Sequence, residues 1–287
     1  MAKLATTSSA AAPPRPRRRS GRLLTAAALA PAAVAAVLWA PAWLFAVLLW
    51  AVAALAQWEF YGLFPAARPY RPWGLAAAAA LAAVLSWPGP QAPAAALAVL
   101  VAAGMAILLR SLREHDASGA AIGWLGVLYP ALLLELLLPA RRAAHGAWWI
   151  LVLFGVVWLG DTAAYYAGRR WGRRKMAPRL SPNKTWVGAW ASLAAGVISG
   201  ALLTWLFVDL AGHAAMPAER MLALGAALGL ALNVAAQAGD LVESGLKRSA
   251  GVKDSGRLLP GHGGMLDRID ALLLAAPVLW WCLAVRF

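Results

Sequence analysis

The chain has 287 residues, of which 62% are hydrophobic and only 13% charged, and its mean hydropathy is +0.66. An ordinary soluble globule is excluded, because repeated apolar stretches near or above about 18 residues read as transmembrane helices. The net charge of +14 would point to nucleic acid in a soluble protein. Here the basic residues sit in short loops and at the N-terminus, where membrane orientation and anionic lipid headgroups account for them, so no nucleic-acid partner is expected. The single cysteine, Cys282, lies in an apolar stretch, which excludes an intrachain disulfide and a Cys/His zinc site. Arg greatly outnumbers Lys and Ala is abundant, a bias that points to a GC-rich bacterial genome.

Residues 1–21 hold Ala, Ser, Pro and the run Arg15, Arg17, Arg18 and Arg19, the composition of a disordered basic arm. The apolar segment that follows is too long for a signal peptide and is succeeded at once by another, so it is expected to be an uncleaved first helix. Nine spans are expected, near 22–39, 41–63, 74–88, 91–111, 117–139, 145–167, 186–209, 218–246 and 268–286. The first two meet at Ala40-Pro41, where proline ends one helix and can open the next. The fold class is therefore all-α and polytopic.

Charge fixes the expected orientation. With the N-terminus in the cytoplasm and the spans alternating, only Arg141, Arg142, Arg220 and Arg286 fall outside. All other Lys and Arg residues fall inside, as the positive-inside rule requires. The polar loops 168–185 and 247–267 are then both cytoplasmic.

Span eight carries a polar stripe: Asn233, Gln237, Asp240 and Ser244 fall on one helix face, with Glu243 and Lys247 beside it. An ionisable residue in a membrane helix is costly when buried alone and marks a functional site unless it is paired. Asn233 and Gln237 serve equally as a hydrogen-bond seam between helices. Pro182 blocks helix upstream of span seven, and Thr185 is a plausible N-cap. Free N–H groups at that helix start, with Lys184 and the hydroxyls of Ser181 and Thr185, form an anion site. His115, His145 and His213 lie in loops with no metal spacing. Glu59 and Glu135 lie within spans two and five, with no partner visible in the sequence.

The longest charged run is Ser244 to Asp270, SGLKRSAGVKDSGRLLPGHGGMLDRID. Its glycines and Pro260 prevent one continuous helix. Lys247, Arg248, Lys253, Arg257 and Arg268 suit phosphate oxygens, whereas Asp254, Asp267 and Asp270 suit a hard divalent cation. Together they suit a metal-bound nucleoside triphosphate. At these residues the chain resembles the phosphatidate cytidylyltransferases, or CDP-diacylglycerol synthases. Ser244, Leu246, Lys247-Arg248, Lys253-Asp254, Gly256, Leu259, Pro260, His262-Gly263-Gly264, Met265, Asp267-Arg268, Ile269 and Asp270 fill every position of that family's signature. Two further motifs resemble the family's: Asp161, Ala164, Tyr165, Gly168 and Arg169 at the end of span six, and Ser181-Pro182-Asn183-Lys184-Thr185 before span seven. Trp186 keeps the aromatic that follows, but Val187 replaces the usual acid or amide.

The resemblance covers about residues 145–287. It divides the chain into the arm 1–21, an N-terminal transmembrane region 22–144 and a catalytic transmembrane region 145–287. It implies that CTP and phosphatidic acid react to give CDP-diacylglycerol and pyrophosphate, in a bacterial inner membrane, with the site on the cytoplasmic face. It also implies that Asp240 and Asp267 bind Mg²⁺, with room for a second cation. Asp161 either binds metal or holds a basic residue in place. Lys247, Arg248, Lys253, Arg268 and Lys184 would neutralise phosphates, and Asp254 completes the catalytic set. Ser181, Thr185, Tyr165, Arg169, Asn233, Ser244, His262, Gly263 and Gly264 are the remaining candidate substrate contacts. Membrane lipid surrounds the chain, and a homodimer is a family expectation. Two rivals stay open: a CTP-dependent polyprenol or phytol kinase, and a transporter using the polar stripe as a pathway.

Overall fold

The structure is a computed structural model that describes residues 19–210, 217–256, 258 and 263–285. In chain order the helices are α1 (Arg19–Trp39), α2 (Ala42–Leu63), α3 (Arg71–Ser86) and α4 (Ala92–Glu114). They continue with α5 (Ala117–Gly126), α6 (Leu133–Glu135), α7 (Leu137–Arg142), α8 (Gly146–Trp171), α9 (Trp186–Leu210), α10 (Ala218–Ser249) and α11 (Leu266–Ala284). A 3₁₀ turn, Pro65–Tyr70, joins α2 to α3, and a π-helical turn, Val127–Leu132, joins α5 to α6.

Each of the nine expected spans corresponds to a helix or a broken helix. Among the described residues, six of these are long and apolar enough to cross a membrane: α2, α4, the combined α5–α7, α8, α9 and α10. The chain is thus an integral membrane protein of helical type. With 16 residues, α3 falls short of the length a span needs. Helix α11 opens with Asp267, Arg268 and Asp270 in its first turns, which dilutes its apolar character.

The loop expected at 168–185 is not wholly irregular. Lys175–Ala177 (β1) and Ser181–Thr185 (β2) pair antiparallel, with Lys175 opposite Thr185 and Ala177 opposite Ser181. The fold is helical, as the all-α reading expects, with this small hairpin as an addition between α8 and α9. Its cause is local: Pro182 cannot extend a helix backwards from α9, so the segment pairs with the strand before it.

Span five is broken rather than continuous, and Pro130 supplies the reason. Proline has no N–H to return to the carbonyl of Gly126. That carbonyl instead accepts 2.9 Å from the buried Gln57 side chain of α2. One turn earlier, the Gly123 carbonyl accepts 2.8 Å from the Tyr61 hydroxyl. Two polar side chains of α2 therefore satisfy backbone that the broken helix leaves open in an environment without water. At the entry to α5, Asp116 caps the helix, accepting 2.8 Å from the Gly119 N–H and 2.9 Å from the Ser118 hydroxyl. These bonds, that of Gly119 first, hold its carboxyl below the usual range.

His115 and His145 both adopt left-handed backbone, at φ 52° and 56°, where they end α4 and precede α8. Their role is to turn the chain, as the sequence suggested. Glu135 is fully buried and, among the described residues, neither of its oxygens has a hydrogen-bond partner.

The C-terminal helices carry the site. Helix α9 packs between α8 and α10, and α10 packs along α11. The α9–α10 crossing is a backbone contact: a Cβ on Gly229 would strike the Gly196 carbonyl oxygen, and one on Gly225 the Gly200 carbonyl oxygen. Asn233 donates 3.1 Å to Ser192 of α9, and Gln237 donates 2.7 Å to Asn233 and 3.3 Å to the Ala189 carbonyl. These two members of the polar stripe form the interhelical seam. Gly229→Val is expected to force α9 and α10 apart and to destabilise the protein by about 2 kcal/mol, as overpacking does. Thermal denaturation in detergent measures this, and an unchanged midpoint would show that the two helices do not need to touch.

Candidate functional site

Below the seam the stripe changes character. One turn beyond Gln237, Asp240 meets Lys184 of β2, its carboxylate 2.6 Å from the ammonium. The β1–β2 hairpin is thus tied to α10. Thr185 Oγ accepts 3.2 Å from the Gly188 N–H at the start of α9, so it is the N-cap the sequence predicted. Arg248, at the end of α10, donates 3.2 Å to the Leu180 carbonyl in the hairpin turn and 2.8 Å to the Val252 carbonyl. Its guanidinium is engaged with backbone.

The centre of the site is Lys247. Its ammonium pairs with Glu243, one turn back on α10, and with Asp267 of α11 at 2.6 Å. Side-chain exposure is 12% for Lys247, 8% for Asp267 and zero for Glu243. Charges so poorly solvated persist only when paired. Asp267 also accepts from the N–H groups of Ser255 at 2.9 Å and Gly264 at 2.8 Å, and from the Ser255 hydroxyl at 2.9 Å. Burial pushes its carboxyl up, but the Lys247 bond and the two backbone N–H bonds outweigh that, and Asp267 is held below the usual carboxylate range.

Asp270, named in the sequence among the acids suited to a divalent cation but not assigned to the Mg²⁺ pair, joins the site. The α10–α11 crossing brings the Asp270 backbone against Gly239, next to Asp240. Asp270 interacts electrostatically with Asp240, Lys247 and Asp161, and Asp161 with Asp240, Lys184 and Arg268. Level with Asp240 stands Asp270, while Asp267 lies toward Lys247. Signal for Asp270 was present as the last signature position, but nothing in the sequence says which acid of Asp267-Arg268-Ile269-Asp270 faces which turn of α10.

Other predicted residues are distributed around this core. Ser244 Oγ lies 3.5 Å from Asp240. Tyr165 is exposed, and its hydroxyl accepts 2.9 Å from Arg169. Lys253 and Arg268 are exposed, and Asp254 and Ser181 are partly buried. Gly263 takes a left-handed φ of 82°, and a side chain there would crowd Asp267. His262, with Arg257, Leu259 and Pro260, lies outside the described residues, as do residues 1–18. Asn233 faces the α9 seam, as above. Glu59 of α2, unassigned from sequence, accepts 3.0 Å from the Ser255 hydroxyl and 3.0 Å from the Leu266 N–H.

One end of the bundle therefore gathers five carboxylates, Asp161, Asp240, Glu243, Asp267 and Asp270, with the cations Lys184, Lys247 and Arg268. Among the described residues no three His, Cys or acidic side chains converge as a ready-made metal cage. The donor set does suit a hard divalent ion held by one or two carboxylates and completed by substrate oxygens. The sequence profile of the cytidylyltransferase family matches residues 20–286. The chain belongs to that family.

Among its relatives, the phosphatidate cytidylyltransferase of Brucella suis is 45% identical over 178 residues, which is 62% of this chain and 62% of that protein. That of Haemophilus influenzae is 41% identical over 133 residues, 46% of this chain and 44% of the relative. That of Staphylococcus epidermidis is 43% identical over 136 residues, 47% of this chain and 49% of the relative. The alignments thus span less than two thirds of the length of these relatives. Lys247→Met should leave Glu243 and Asp267 buried and uncompensated, costing about 3 kcal/mol. Adding Glu243→Gln should restore part of that loss. A double-mutant cycle read by denaturation in detergent checks it, and strict additivity would show that the ammonium does not bridge the two acids.

Proposed function

We propose that this cytidylyltransferase acts on phosphatidic acid, joining the cytidylyl group of CTP to the lipid phosphate to give CDP-diacylglycerol and pyrophosphate. The observation that carries the proposal is the pairing of Lys184 with Asp240 and of Lys247 with Asp267 at one end of the bundle. Two cations and two carboxylates alternate there, next to a helix N-terminus capped by Thr185. That arrangement suits a polyphosphate bridged by a divalent ion. Nucleotidyltransferases named for this reaction among the relatives support the same substrates.

In the reaction, an oxygen of the phosphatidate phosphate attacks the α-phosphorus of CTP. The new P–O bond forms as the bond from the α-phosphorus to the bridging oxygen breaks, and pyrophosphate leaves with that electron pair. No general base is required, because a phosphate monoester is already ionised near neutral pH. Asp240, Asp267 and Asp270 are the residues that would hold Mg²⁺, with Asp161 within electrostatic range and a second cation accommodated by the same acids. When bound, such an ion lowers the charge on attacking and leaving oxygens. Lys184 and Lys247 lie beside those carboxylates and would turn to phosphate oxygens as the triphosphate enters. Arg268 and Lys253 remain exposed at the rim, where they meet the lipid headgroup.

The nine-span arrangement with a cytoplasmic N-terminus completes the proposal. It puts the hairpin, the 250–265 loop and the end of α2 at the inner face of a bacterial inner membrane. There soluble CTP meets a lipid held in the leaflet. A homodimer is part of the same reading.

Membranes containing the protein, given phosphatidate, Mg²⁺ and CTP labelled at the α-phosphate, should form labelled liponucleotide, and CTP labelled at the γ-phosphate should not label the lipid. Label arriving from the γ position would replace this activity with lipid kinase chemistry. Chelation of divalent ions should stop turnover. Asp240→Asn, Asp267→Asn and Asp270→Asn should each lower kcat by about 100-fold or more while leaving membrane insertion intact. Near-normal turnover of any one variant would remove that residue from the metal-binding set.

A further inference from the structure

Helix α2 belongs to the N-terminal half, which the signature motifs do not reach, yet it enters the site. Glu59 stands near its C-terminal end and is 9% exposed. Its Oε2 accepts 3.0 Å from the Ser255 hydroxyl and 3.0 Å from the N–H of Leu266, the first residue of α11. The Ser255 hydroxyl also lies 2.9 Å from Asp267 Oδ2. One hydroxyl proton is thus shared between a carboxylate of α2 and a carboxylate of the site. The Leu266 N–H is one of the donors that a helix start leaves open, and a negative charge there is favoured by the helix dipole.

The loop is shaped to fit this carboxylate. A Cβ added to Gly256 or to Gly264 would collide with Glu59, so glycine at both positions lets the loop backbone close on the carboxylate. The sequence alone suggested that Gly264 made room for a ligand. In the structure that room is taken by Glu59 and Ser255. On its other faces, α2 is fixed to α5 through Gln57 and Tyr61, so the carboxylate projects from a held helix.

We propose that Glu59 is a positioning residue: it clamps the loop before α11 and the first turn of α11, and so aims the Asp267 carboxylate. This rests on the cytidylyltransferase reading above. Groups that orient a metal-ligating side chain typically cost about 10–100-fold when removed.

The test uses the full chain in detergent with Glu59→Ala, Glu59→Gln, Ser255→Ala and the double variant Glu59→Ala/Ser255→Ala. It reads kcat, KM for CTP, the Mg²⁺ concentration at half-maximal rate, and amide hydrogen exchange of the peptide containing residues 251–266. Glu59→Ala should lower kcat by about tenfold or more, raise the Mg²⁺ requirement, change KM for CTP less than about threefold, and speed exchange in that peptide alone. Glu59→Gln, which keeps an acceptor oxygen, should recover most of both losses. The double variant should be no worse than Glu59→Ala within about twofold. If Glu59→Ala keeps wild-type kcat and wild-type exchange, or if its loss of activity only tracks loss of folded protein, the proposal fails. Equal damage from Glu59→Gln and Glu59→Ala would also overturn it. Should Glu59→Ala not fold, Glu59→Gln and Ser255→Ala carry the same exchange comparison. An inactive wild-type protein would sink the cytidylyltransferase reading, while the exchange data would still decide whether Glu59 holds the loop.

Discussion

The structure depends on one ammonium group. Lys247 sits between Glu243 and Asp267, joining the end of α10 to the start of α11. Glu243 has no exposed surface, and Lys247 is the cation that pairs with it. Asp267 spends its remaining acceptor capacity on the Ser255 and Gly264 N–H groups. Ser255 and Gly264 are thereby held against the first turn of α11. The same carboxylate that is a candidate ligand is therefore also a structural anchor.

The helices beneath supply the rigidity this arrangement needs. Glycine contacts let α9 and α10 approach at the level of their backbones, and the Asn233 and Gln237 seam fixes their rotation. With that rotation fixed, Asp240 reaches Lys184 across to the hairpin. Small-residue packing and interhelical hydrogen bonds replace the hydrophobic drive that water would supply elsewhere. Helix register sets where Asp240 and Lys247 stand, and loop and hairpin groups complete the site around them.

Hydropathy made the spans legible, because the lipid requirement acts on composition over about 20 residues. It could not reveal the break at Val127–Leu132, since the consequence of Pro130 depends on Gln57 arriving from another helix. The small hairpin at 175–185 was hidden for a different reason: strands of three and five residues are too short to show a period. Signature spacing located Asp267 and Lys247 but not their bond. Glu59 was visible only as an acid in an apolar helix. Its partners lie 196 and 207 residues away, and no local pattern encodes such a pairing. The sequence could therefore name most of the charged groups, whereas their assignment to partners required the fold.

Charge balance carries the remaining step. Asp240 pairs with Lys184, and Asp267 with Lys247, at one end of the bundle, in surroundings where an uncompensated charge costs several kcal/mol. A bare triphosphate would have to pull Lys184 and Lys247 from acids they already satisfy. Under the proposed function, a triphosphate that arrives with a divalent cation would meet a different balance. The acids would then gain another counter-ion, and the lysines would be free to face phosphate. On that reading the lysine–aspartate pairs would be a closed form of the site, which a metal-bound nucleotide would open more readily than a bare one.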